Sequence, residues 1–227
     1  MAIYFPITLL ILSFDRYYPG EDMVQYLKYT VMITLFILVF ILRKNFLEQR
    51  IMAASFFFLV IGDFFLVFST TLDNLDVNIT SFGTIGFFIA YIFLIVAYQK
   101  NFKVGKAEII TAIPVVMIFL YVFVSLRPNV DGLMLIGILM FGIVLCYMTW
   151  SAICTIYRKY YKLKTALLIA LSGILMFTCD IGVAYSQFYP LYSEAYVPWL
   201  KNIIWAAYIP GWTLLAVIIS EKNLRMK

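Results

Sequence analysis

The sequence predicts an all-α, polytopic integral membrane protein: a bundle of eight transmembrane helices with short loops. Three observations carry that expectation. Of 227 residues, 64% are hydrophobic and only 13% charged, whereas soluble domains carry about 25% charged residues. The apolar residues fall in long runs, most of them close to the roughly 20 residues that cross a hydrocarbon core of about 30 Å as a helix. Lysine and arginine gather in every second break between those runs, as cytoplasmic loops require.

Ala2 to Tyr18 is the first and shortest run. It lacks the basic leader and small-residue cleavage site of a signal peptide, so it is expected to be retained as a span. It closes at Pro19-Gly20. The second, Tyr26 to Leu42, carries Lys28 near its start and stops at Arg43-Lys44-Asn45. The third, Ile51 to Thr70, contains Asp63 and ends before the acidic stretch Asp73 to Asp76. The fourth, Thr80 to Tyr98, is followed by the basic segment Lys100 to Lys106. The fifth, Ala107 to Leu126, holds Pro114 and breaks at Arg127-Pro128-Asn129. The sixth, Gly132 to Ile156, precedes the basic run Arg158 to Lys164, and the seventh, Thr165 to Gln187, contains Asp180. After a break from Pro190 to Pro198, the eighth runs from Val197 to Ser220, with Lys201 near its start and Pro210 inside it. The breaks carry the Pro, Gly and charge that interrupt helices, and neighbouring helices can re-satisfy the carbonyls that an intramembrane proline frees.

Eight spans exhaust the chain, so a single membrane domain over 1–227 is expected. The Asp63 and Asp180 runs share a small residue beside the aspartate and a serine six positions later, Ser69 and Ser186. That is a weak sign of two parallel four-helix halves, 1–106 and 107–227. Basic residues divide thirteen against four between alternate loops, which predicts both termini on the cytoplasmic side. The formal net charge of +5 therefore reads as a topology signal and not as a nucleic-acid surface. The expected partners are membrane lipids, and the expected location is a membrane that the chain crosses several times. Many aromatic residues, among them Tyr17, Tyr18, Tyr98, Tyr189 and Trp199, flank the runs as interfacial anchors do.

Histidine is absent, which removes zinc-hydrolase clusters, a Ser-His-Asp triad and any imidazole base. The three cysteines, Cys146, Cys154 and Cys179, lie inside apolar runs without metal-ligand spacing. No metal and no cofactor is expected. Any chemistry falls to carboxylates, and Asp63 and Asp180 are the two acids clearly inside the apolar runs. An aspartate at the centre of a membrane helix costs about 2.5 to 3.5 kcal/mol on insertion scales, which a partner, a wet cavity or a function must offset. Both runs point outward and each aspartate stands about seven residues from the outer end, roughly 10 Å deep at 1.5 Å per residue. Lys28 and Lys201 approach that depth from outside, so a cluster of the four is geometrically allowed. Three readings are open: ion-pair or hydrogen-bond glue between helices, a transport relay, or an acid/base site reached from the lipid.

The order of features resembles the YhhN family of bacterial membrane proteins and their animal relatives, the TMEM86 group. The matching pieces are Lys28 opening the second span, the Gly62-Asp63 pair, the stretch from Gly83 to Tyr98, the segment Gly173 to Asp180, and Trp205-Ala206-Ala207-Tyr208 in the last span. The chain departs from the family where Tyr91 stands for a histidine, where Gly211 or Trp212 stands for a glutamine, and in having Cys179 before Asp180 where serine is usual. The resemblance implies a lysoplasmalogenase, which hydrolyses the vinyl-ether bond of a lysophospholipid to a fatty aldehyde and a glycerophospho head group. Its catalytic pair would be Asp63 and Asp180, one protonated and one ionised near neutral pH. Lys28, Lys201, Tyr91 and Tyr208 would contact the substrate, Lys28 or Lys201 by holding the ionised carboxylate or meeting the phosphate. A small proton-coupled carrier using the same aspartates, or an inactive lipid-binding relative, are the competing expectations.

Overall fold

A computed structural model describes residues 2–72, 80–193 and 197–226. These fold as helices α1 (Tyr4–Tyr17), α2 (Asp22–Ile41), α3 (Leu47–Asp63), α4 (Thr80–Tyr98), α5 (Lys106–Leu126), α6 (Gly132–Arg158), α7 (Leu163–Phe188), α8 (Pro190–Ser193) and α9 (Pro198–Ser220). Six helical stretches are long and apolar enough to cross a membrane: Asp22–Ile41, Leu47–Phe68, Lys106–Asn129, Gly132–Arg158, Leu163–Phe188 and Pro198–Ser220. A seventh, Phe82–Tyr98, is apolar but shorter. The chain is thus a multi-pass helical membrane protein.

The first expected span behaves differently from the rest. α1 has 14 residues, about 21 Å at 1.5 Å per residue, less than the hydrocarbon core alone. Other elements overrun the apolar runs, because polar residues at the ends find helical partners. α2 begins at Asp22, not Tyr26, and α3 begins at Leu47, not Ile51. There Gln49 Oε1 accepts the Asn45 and Phe46 N–H groups at 2.8 and 3.1 Å, occupying donors that a helix start leaves open. The acidic break Asp73 to Asp76 and Glu194 lie outside the described residues.

The end of the bundle at which α3 begins and α9 ends is clasped by polar groups. Buried Glu48 accepts the Tyr160 hydroxyl and pairs with Arg225, each at 2.7 Å. Gln49 Nε2 donates to the Glu221 carbonyl at 2.7 Å, and Lys162 N donates to Leu224 O at 3.1 Å. The segment after α9 is thereby laid against the α6–α7 turn and the start of α3. Burial, followed by the hydrogen bond to Glu48, pushes the Tyr160 phenol up to about 12.

Close helix crossings position the interior. α3 and α4 meet through glycines: a Cβ on Gly86 would fall 2.9 Å from Gly62 N and from Phe58 O, and one on Gly83 would fall 2.9 Å from Gly62 O. Such distances to backbone leave no room for a side chain, and small residues at membrane helix contacts permit this approach. α7 lies between α6 and α9. A Cβ on Gly173 would be 2.7 Å from Ala152 Cβ, and Ser172 Oγ donates to Gly211 O at 2.8 Å. Gly62 and Gly173 thus bring the Asp63 and Asp180 helices against their neighbours.

Candidate functional site

Asp63 is the last residue of α3, and the chain continues as one π-helical turn, Phe64–Phe68, and then a 3-10 turn, Ser69–Thr71. A π turn inside a helix rotates the residues after it relative to those before, and such turns are frequent at functional sites. The Asp63 side chain is 2% exposed. The Tyr208 hydroxyl of α9 lies 2.7 Å from both Oδ1 and Oδ2, so the phenol caps the carboxylate symmetrically. Asp180, on α7, is half-buried. Its Oδ2 accepts the Tyr91 hydroxyl from α4. Among the described residues no protein group takes its Oδ1. Phe87 stands between the two tyrosines, 6.3 Å from the Tyr91 ring and 6.0 Å from the Tyr208 ring.

Both carboxylates line one cavity of about 770 Å³, within the usual span for a site that holds a single small ligand. One side of it is charged. Asp15, Lys28 and Lys201 line this end, near the starts of α2 and α9. The other side is apolar, formed by α4, α5 and α6 through residues such as Ile85, Phe119, Phe123, Leu133 and Phe141. Contacts link the aspartates to both sides: Tyr208, bound to Asp63, packs 5.4 Å from the Trp205 ring over which Lys28 lies, and Tyr91, bound to Asp180, packs 5.9 Å from Phe141.

The structure places Asp63, Asp180, Lys28, Lys201 and Tyr208 on this cavity, and Tyr91 behind Asp180. The lysines do not hold the aspartates: among the described residues no ion pair involves Asp63 or Asp180. Lys28 Nζ instead binds Asp15 Oδ1 at 2.6 Å, both side chains being 2% exposed, and stacks 4.8 Å over the Trp205 ring. In place of the ion pair with a lysine that their expected depth allowed, the two aspartates take hydrogen bonds from two tyrosines. Asp15, near the end of the first apolar run, is the cavity residue that the sequence did not single out. A turn at Pro19 to Glu21 folds α1 back on α2 and brings position 15, four residues before it, against position 28, seven residues after it.

A family model for the YhhN family matches residues 24–219. The chain belongs to the YhhN family. The match runs from the first turn of α2 almost to the end of α9, and it includes every residue named at the site except Asp15. No curated protein and no solved structure matches the chain.

Proposed function

We propose that this member of the YhhN family hydrolyses the vinyl-ether bond of a lysoplasmalogen, releasing a fatty aldehyde and a glycerophospho head group. The family includes lysoplasmalogenases. One observation carries the reading for this chain: the two aspartates line a single cavity between an apolar wall and an end bearing Lys28 and Lys201. A lysoplasmalogen has the same order of parts, with its vinyl ether between one alkyl chain and a phosphate head.

The chemistry needs a proton on the enol-ether carbon and a water on the neighbouring carbon. Asp180 serves as the acid, because Tyr91 occupies only Oδ2 and leaves Oδ1 to carry a proton toward the cavity. Protonation of the carbon gives an oxocarbenium ion. Asp63, acceptor for Tyr208 through both oxygens, serves as the carboxylate that stabilises this cation and takes a proton from the attacking water. The hemiacetal formed then collapses, the aldehyde leaving with the oxygen from water and the head group leaving as an alcohol. Tyr91 and Tyr208 fix the two carboxylates for these opposite tasks, and Lys201 meets the phosphate with the point charge that lysine offers.

In this reading α1 and α4 complete an eight-helix bundle with both termini cytoplasmic, and the cavity lies in the outer leaflet. Purified protein incubated with a lysoplasmalogen should release fatty aldehyde, measured by mass spectrometry. An Asp63→Asn/Asp180→Asn double variant should release none. Equal aldehyde from the two proteins would sink the assignment.

A further inference from the structure

We propose that the cavity opens sideways onto the bilayer between the amino-terminal halves of α4 and α6, with Gly137 at the threshold, and that a single lipid alkyl chain lies in this opening. The inference rests on the reading that the aspartates act on a single-chain lipid.

Three observations converge on that opening. Ile85 on α4 and Leu133 and Met134 on α6 line the cavity, yet they are 53%, 87% and 50% exposed at the outer surface of the bundle. A wall whose residues face both the cavity and the surroundings is the rim of an opening. Gly137, also on the wall, has open space around it: a Cβ there would meet nothing within 4 Å. Five residues further, on a different face of α6, a Cβ at Gly142 would fall 2.3 Å from the Phe119 ring, so the face bearing Gly142 is packed on α5 while that bearing Gly137 is open.

The same two helices are held together further in. Tyr91 and Phe141 pack at 5.9 Å between ring centroids, and Gln99 Nε2 donates to Ser151 Oγ at 2.7 Å. These contacts tie α4 to α6 from Tyr91 toward the carboxy-terminal ends of both helices, and Ile85, Leu133 and Met134 lie before them, toward the amino-terminal ends.

The chemistry of the two ends selects the occupant. The rim is apolar and lies on the face that a membrane helix presents to lipid, so what enters there is a hydrocarbon chain. The far end bears Lys28, paired with Asp15, and Lys201, which suits a phosphate. A cavity of about 770 Å³ is in the range for one ligand. Bilayer hydrocarbon is as apolar as the rim, so the chain gains little by transfer. Access depends on free space at Gly137, and selectivity comes from the polar end.

The test places a cysteine at the threshold in protein reconstituted into lipid nanodiscs. Gly137→Cys should react with a membrane-permeant maleimide, and a saturated 1-alkyl lysophospholipid, which has no vinyl-ether bond to cleave, should slow that reaction at least five-fold. Glycerophosphocholine, a head group without a chain, should not slow it. Val124→Cys, 65% exposed on α5, should react equally with and without lipid. In addition, Gly137→Trp should lower kcat/KM for a long-chain substrate at least ten-fold and leave a short, water-soluble vinyl ether unaffected, with Val124→Trp as the neutral control. Unchanged labelling at position 137 in the presence of the lysolipid, or full long-chain activity in Gly137→Trp, would overturn the proposal. Protection requires no turnover, so protection without hydrolysis would remove the proposed function and keep the opening. Hydrolysis without protection would do the reverse.

Discussion

The Tyr208 hydroxyl lies 2.7 Å from both oxygens of Asp63 across 145 positions of sequence. It ties the end of α3 to the middle of α9 and leaves Asp63 oriented by a phenol instead of a cation. Tyr91 holds Asp180 in the same manner but through one oxygen. That asymmetry separates the roles given to the two acids.

Asp180→Asn removes the proton donor but keeps an acceptor for Tyr91. The expected loss is about 10² to 10⁴ in kcat, the usual range for a general acid, with a thermal midpoint close to that of the parent protein. Asp63→Asn should lose activity similarly. Turnover within three-fold of wild type in either variant would contradict the assignment.

Tyr208→Phe and Tyr91→Phe keep the ring packing around Phe87 and delete one hydroxyl each. A typical buried hydrogen bond contributes about 1 kcal/mol, so the stability change should be small. The kinetic change should fall on kcat, with KM little altered, because the phenols position carboxylates and do not hold the lipid. A shift confined to KM would return the tyrosines to the substrate-binding role expected from sequence.

The two lysines should separate cleanly. Lys201→Gln should raise KM for a phosphate-bearing lysolipid and leave an alkenylglycerol without phosphate unchanged, as read in paired steady-state assays. Lys28→Met removes one partner of the buried Lys28–Asp15 ion pair, and breaking such a pair costs about 3 to 5 kcal/mol. Its effect should appear as a lowered thermal midpoint, partly restored when Asp15→Asn is added.

Gly86→Leu tests the α3–α4 crossing that sets the end of α3. Its Cβ would meet backbone atoms at 2.9 Å, and overpacking of this kind costs about 1 to 3 kcal/mol or more. A lowered midpoint together with lost activity is the expected result. Gly137→Leu, with open space, should leave the midpoint unchanged.

The legible and illegible parts of this molecule divide on physical grounds. Asp63 and Asp180 stood out because a carboxylate in an apolar run is costly wherever the run packs. A common depth was the expectation from helix direction and rise per residue. Their partners did not stand out, since 17 tyrosines occupy interfaces and interiors alike and only the packing of α4 and α9 turns Tyr91 and Tyr208 inward. The Glu48–Arg225 clasp joins segments 177 residues apart, beyond any local pattern. α1 looked like the start of a span because its run is apolar, but its 14 helical residues stop at the turn that seats Asp15 beside Lys28. The π turn after Asp63 left no trace in the phenylalanine-rich run that contains it.

The central claim is that a carboxyl group in this cavity protonates the vinyl-ether carbon. Running the reaction of the purified protein with a lysoplasmalogen in D₂O and analysing the aldehyde by mass spectrometry tests it directly. Aldehyde carrying one deuterium at C2 should be formed by the wild type and be absent with Asp180→Asn. Aldehyde formed at equal rates by both proteins, or formed without deuterium at C2, would contradict the claim.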